Sequence, residues 1–168
     1  LTVISSIDCV QRIYPWPGHC RDENEAWELC MSGEHDLQTL LMNMTARLAP
    51  DVYVFATIPP DSVTPDGIEA LMRFHEAEGT TLILTREEAM ARHIDHSFAC
   101  RMITLEVHST LEAVGFIATI SAALAAQGMG VNPVAGYFHD HLFVPQDRAD
   151  DAMAALAELS SAAAKTHG

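Results

Sequence analysis

The sequence predicts an α+β protein with helices laid over one face of a sheet, and three observations carry that expectation. Strand-like and helix-like runs alternate along the chain instead of segregating. Pro and Gly fall at the joints between them, where each stops regular structure. Apolar residues make up 49% of the 168 positions, enough to build a core for one domain or two small ones sharing it.

Composition excludes several functions. The formal charge is −14 and Lys165 is the single lysine, so the surface repels phosphate backbones and no nucleic-acid partner is expected. No apolar run reaches the roughly 20 residues that span a bilayer, so no membrane partner is expected either. Leu1–Gln11 carries no basic residue ahead of its short apolar run, which makes it a poor secretory signal and points to a cytoplasmic protein. Cys9, Cys20, Cys30 and Cys100 form no CxxC pair and read as ordinary thiols.

Residues 1–30 differ in character from the rest of the chain. They hold Tyr14-Pro15-Trp16-Pro17-Gly18, both tryptophans and three of the cysteines, with only a short strand signal at Val3–Ile7. Met31-Ser32-Gly33-Glu34 looks like a natural beginning, so residues 1–30 are expected to be an extension outside the native protein. The competing expectation is a genuine extension packed over the domain through Trp16 and Trp27.

In residues 31–97, Leu37, Leu40, Leu41, Met44 and Leu48 recur at helical spacing behind Asp36, a good cap, and Pro50 should end that helix. Val52–Ile58 reads as a buried strand halted by Pro59-Pro60. A loop through Pro65-Asp66-Gly67 leads to a short predicted helix at Ile68, Leu71, Met72 and His75. Glu76–Gly79 should turn into a strand at Thr80–Leu84. Thr85 with Glu88 forms a capping box for a helix to about His93.

In residues 98–168, Met102–His108 alternates as a strand. Ser109 and Glu112 have capping-box spacing and predict a helix over Ser109–Gln127, with Val114, Ile117, Ile120 and Leu124 on its apolar stripe. Gly128 should close it with a left-handed residue. Val131–Phe138 and Leu142–Val144 read as strands joined at His139-Asp140, and a last helix spans Asp147–Ala163. This β-α-β-β-α order, completed by a strand from elsewhere in the chain, is the ferredoxin-like βαββαβ arrangement.

At this point the residues carry a family resemblance. ITLEVHSTLEAVGFIATISAALAAQGMGVNPVAGYFHDHLFVP resembles an ACT domain, the small ligand-binding module of amino-acid-regulated enzymes and nutrient sensors. Together with YVFATIP and EGTTLIL it resembles bacterial tandem ACT-domain proteins of uncharacterised function, over about Asp36 to Leu159. The resemblance implies two ACT-like halves, 31–97 and 98–168, and a ligand loop that usually reads D-x-P-G. Here the loop falls at His108–Gly115, with Val114-Gly115 standing where Pro-Gly would and the acid absent. The ligand-binding residues so implied are His108, Ser109, Leu111, Glu112, Val114, Gly115 and, opening the next strand, Asn132.

The physical case for that site is the amino end of the predicted helix, whose unpaired N–H groups suit a ligand carboxylate. Gly115 would permit close approach of a ligand or backbone. Glu112 argues the other way, because its carboxylate would already occupy the helix end. His108, His139 and His141 offer a competing metal-dependent enzyme, which needs three or four ligands converging near 2.0–2.3 Å. No phosphate loop or nucleophile elbow is present. The expectation is therefore a non-catalytic regulatory protein that needs no cofactor or metal, binds a small molecule of amino-acid type and forms a homodimer. A protein-interaction module without a ligand is the third reading.

Overall fold

The computed structural model describes residues 33–62 and 67–166. The expectations for residues 1–30, including the start at Met31, lie outside the described residues. The described segments, in chain order, are α1 (Leu37–Asn43), β1 (Ala46–Ile58), β2 (Ala70–Glu76), β3 (Gly79–Thr85), α2 (Arg86–Ala91), β4 (His96–Leu105), α3 (Phe116–Ala126), β5 (Asn132–Ala135), β6 (Asp140–Pro145), a 3₁₀ turn (Gln146–Arg148) and α4 (Ala149–Thr166).

All six strands form one antiparallel sheet in the order β2-β3-β1-β4-β6-β5. That order contains the ferredoxin-like pattern twice. Strands β4, β5 and β6 with β1 as fourth strand make one set; β1, β2 and β3 with β4 as fourth strand make the other. The outside strand that the second half requires is thus β1, and the two halves share the β1–β4 pair.

The apolar alternation of the strands separates two faces. Ile103 and Leu105 of β4 and Leu142 and Val144 of β6 pack with Leu40, Phe116, Ile120, Leu124, Ala152 and Leu156 from α1, α3 and α4. Beside them, Val54, Leu82 and Leu84 pack with Ala89 of α2. The intervening residues Tyr53, Ile83, Cys100 and Phe143 point the other way and form a cluster that contains no helical residue among those described. Helices therefore cover one face, as expected. Burial pushes the Cys100 thiol up to about 12, so it stays protonated and unreactive.

Several expected elements change. The helix predicted from Leu37 to Leu48 stops at Asn43, capped by Asp36 Oδ1 accepting from Thr39 N at 2.8 Å, and Leu48 joins β1. Pro50 does not stop the chain. It sits where β1 advances from Leu48 to Val52 while β4 moves only from Ile103 to Arg101, a bulge that asks nothing of the missing N–H. The predicted helix at Ile68–His75 is strand β2, because the Ala77-Glu78 turn pairs it with β3 from Glu76↔Gly79 onward. Hairpin pairing overrides the helical spacing there.

Other signals hold. Thr85 accepts from Glu88 N at 3.2 Å and caps α2. Beyond α3, Gly128 N donates to Ala125 O at 2.9 Å and Met129 N to Leu124 O at 3.2 Å, with Gly128 at φ 69. This is the paired-bond helix ending that a left-handed glycine permits. Leu124, fully buried at that end, is expected to cost about 2–5 kcal/mol when replaced by Ala, read as a lower urea midpoint with unchanged slope.

Candidate functional site

The segment after β4 is fixed before any helix begins. Glu34 N donates to His108 O at 2.8 Å and Thr110 N donates to Glu34 O at 3.1 Å, a short parallel bridge between Glu34 and Ser109. The approach is so close that a Cβ on Gly33 would lie 2.6 Å from Thr110 N and 2.8 Å from the Ser109 carbonyl carbon. Only glycine fits there. Ser109 is buried, and its hydroxyl donates to Asp140 Oδ2 at 3.0 Å, tying the loop to the first residue of β6.

The predicted capping box does not form. α3 begins at Phe116, behind Gly115 at φ 92, and has no side-chain cap. Ser109 is occupied by Asp140, and the Glu112 backbone N–H donates to Thr110 Oγ1 at 3.2 Å in a turn. The spacing suits a box, but the strand bridge holds Ser109 one loop away from the helix. Glu112 is exposed and does not line the cavity, so the objection that it fills the helix end falls away.

Between loop and sheet lies a cavity of about 100 Å³. Ser109, Thr110 and Asp140 form its polar wall, and Ala113, Phe116, Ile117 and Ala135 its apolar floor, with Leu111 at the rim. Phe116 and Ile117 belong to the first turn of α3, where the helix supplies no partners for its own N–H groups. Asp140, 6% exposed, brings the cavity's one charged side chain.

Of the seven residues the resemblance implied, Ser109 and Leu111 line this cavity. Gly115 caps α3 beside it, within 3.4 Å of Leu37 Cδ2 for an added Cβ. Val114 is 85% exposed, and Asn132 lies exposed on the edge strand β5, so neither reaches it. The His108 ring packs instead against Phe138, centroids 5.3 Å apart. Sequence reasoning missed Asp140, which it placed in a turn, and Gly33. The alternation of β6 with its partner strands was the one signal for Asp140.

The histidines do not converge. His141 Nδ1 lies 3.0 Å from Thr104 Oγ1, and His139 Nδ1 lies 2.7 Å from Phe138 O. Among the described residues no group of three or more His, Cys, Asp or Glu could hold a metal ion. Burial lowers both His139 and His141 below the ordinary 6.5, His108 lowers His139 further, and His139 lowers His141.

This arrangement meets its counterparts among known proteins. Two ACT domain profiles match, one over residues 32–101 and the other over residues 97–158. The chain belongs to the ACT-domain family, as a tandem pair, and membership carries a regulatory, ligand-binding role. A Vibrio cholerae protein of unknown function, described as a possible transport protein, is 39% identical with a TM-score of 0.66, over 74% of this chain and 95% of that one. An Agrobacterium tumefaciens protein shares the fold at 12% identity and TM-score 0.60, over 70% and 89%. The regulatory subunit of Thermus thermophilus aspartate kinase shares it at 12% identity and TM-score 0.53, over 71% and 97%. Comparison with curated proteins gives no match.

Two outcomes are expected at the site. Ser109→Ala removes a donor from a buried carboxylate and is expected to cost about 1–3 kcal/mol in urea unfolding. Because His139 and His141 are held below their unfolded value, the unfolded chain binds more protons as pH drops. Stability should be full above about 6.5 and decline as pH falls below it, and replacing both with Gln should flatten that decline.

Proposed function

We propose that this protein is a non-catalytic regulator that binds a small amino acid in the cavity beside Asp140 and signals through its contacts with partners. One observation carries the reading: a helix amino end and a buried carboxylate meet in one small cavity. The first suits a ligand carboxylate and the second a ligand ammonium. A volume of about 100 Å³ lies below the usual range for drug-sized ligands and favours a short side chain. The apolar floor of Ala113, Phe116, Ile117 and Ala135 favours a neutral, aliphatic one.

The halves divide near residue 97, into 31–97 and 98–168, with the cavity in the second. A cytoplasmic location fits the acidic composition and the lack, among the described residues, of a helix long and apolar enough to cross a membrane. Homodimer formation is supported by β2, an edge strand that exposes Leu71 and Phe74.

A thermal-shift series with the twenty amino acids tests this directly. A short aliphatic amino acid at a hundredfold excess over Kd is expected to raise Tm by about 5–10 °C. Asp140→Asn should remove that response while circular dichroism stays native. No response from any amino acid near millimolar concentration would refute the reading; a retained response in Asp140→Asn would move the site elsewhere.

A further inference from the structure

On the sheet face away from the helices, a second opening of about 410 Å³ lies between the end of β1, strand β3 and the start of β4. Its walls are Phe55, Ala56, Thr57, Thr81, Asp95, His96 and Ser97. Their placement is set by register. Phe55 belongs to the helix-free cluster, Ser97 pairs with Phe55, and Thr57 pairs with Thr81, so these side chains rise on the same side.

The local backbone is built unusually. From Tyr53↔Cys100 to Phe55↔Ser97, β1 advances two residues while β4 advances three, a bulge in β4. Within it Phe98 sits at φ 54, in the left-handed region that a bulky residue rarely enters. The effect is to lay Phe98 edge-on against Phe55, ring centroids 5.8 Å apart, and Phe55 in turn meets Phe143 at 5.8 Å. Bulges commonly re-aim a side chain beside a functional site.

The permanent charges around the opening are negative. Asp95 lines it, and Glu76 reaches Thr81 Oγ1 with its carboxylate. No Lys or Arg is among its lining residues. Three hydroxyls, from Thr57, Thr81 and Ser97, supply hydrogen bonds, and the Phe55 ring supplies an aromatic surface. The whole chain, at −14, adds a field that draws cations in. The opening is shallow, so a ligand would rest on the sheet with one side left to solvent.

We infer that this opening is a second binding site, separate from the Asp140 cavity, that takes a small organic cation: an ammonium on an apolar or aromatic body. The ammonium lies toward Asp95 and the hydroxyls, and the body rests on Phe55. An anion would find no countercharge there, and a neutral compound would forgo the attraction of carboxylate and ring. The site stands whether or not the Asp140 cavity binds an amino acid, because the two share no residue.

The test is a titration of the isotope-labelled full-length protein with benzylamine, benzyl alcohol and benzoate, followed by amide chemical shifts. Benzylamine should give saturable shifts at Phe55, Thr57, Thr81 and Asp95–Ser97, while benzyl alcohol and benzoate give none at matched concentration. Phe55→Leu is expected to weaken benzylamine about threefold, and Asp95→Asn by a similar factor that shrinks with added salt. Equal response to the three compounds, shifts spread over the acidic surface, no saturation by tens of millimolar, or unchanged affinity in both variants would each overturn the proposal.

Discussion

The hydrogen bond from Ser109 to Asp140, with the Glu34 bridge behind it, holds the site open. Without it the chain leaving β4 could continue straight into helix, as its spacing invites. The bridge keeps residues 109–115 as a loop over the sheet edge and delays α3 until Phe116. The gap between loop and helix start is the cavity. Gly33 belongs to the same device, since any side chain there would push Ser109 and Thr110 away. A buried carboxylate is costly unless it is hydrogen-bonded, and Ser109 provides that bond while leaving Asp140 on the cavity wall.

The sheet explains why this loop is held so firmly relative to the helices. Strands β1 and β4 are each the first strand of one half and the fourth strand of the other. Neither half can shift against the other without breaking its own sheet. The same sharing leaves one face free of helices, where aromatic residues from both halves run continuously from Tyr53 through Phe143 and Phe55 to Phe98. The two openings lie on opposite faces of a common, rigid layer.

Much of this was legible in the residues. The apolar stripe of α3, the Gly128 ending and the Thr85 cap are local signals, and local bonds realised them. The failures share one cause: backbone pairing that overrides the local spacing. Ala70–Glu76 has helical spacing, but Gly79–Thr85 recruits it into a hairpin. Pro50 reads as a stop, yet a bulge against β4 absorbs it. Ser109 and Glu112 have the separation of a capping box, yet Glu34, far away in sequence, bonds the backbone of His108 and Thr110 on either side of the serine, and Asp140 takes its hydroxyl. For the same reason Asp140 looked like a turn residue: nothing beside it in sequence reveals that Ser109 is its partner.

Alternation along β6 has a final consequence for the site. Asp140 faces the cavity, while His141 faces the opposite side of the sheet, paired with Thr104 and Val134. Asp140 favours the imidazolium form of both His139 and His141, but burial and the histidines' mutual repulsion are the larger influences on His141, and burial with His108 on His139. Both rings therefore take up a proton less readily than ordinary histidines. The neighbouring imidazoles oppose the carboxylate less than ordinary histidines would. Burying the histidines thus protects the electrostatics of a residue on the other face.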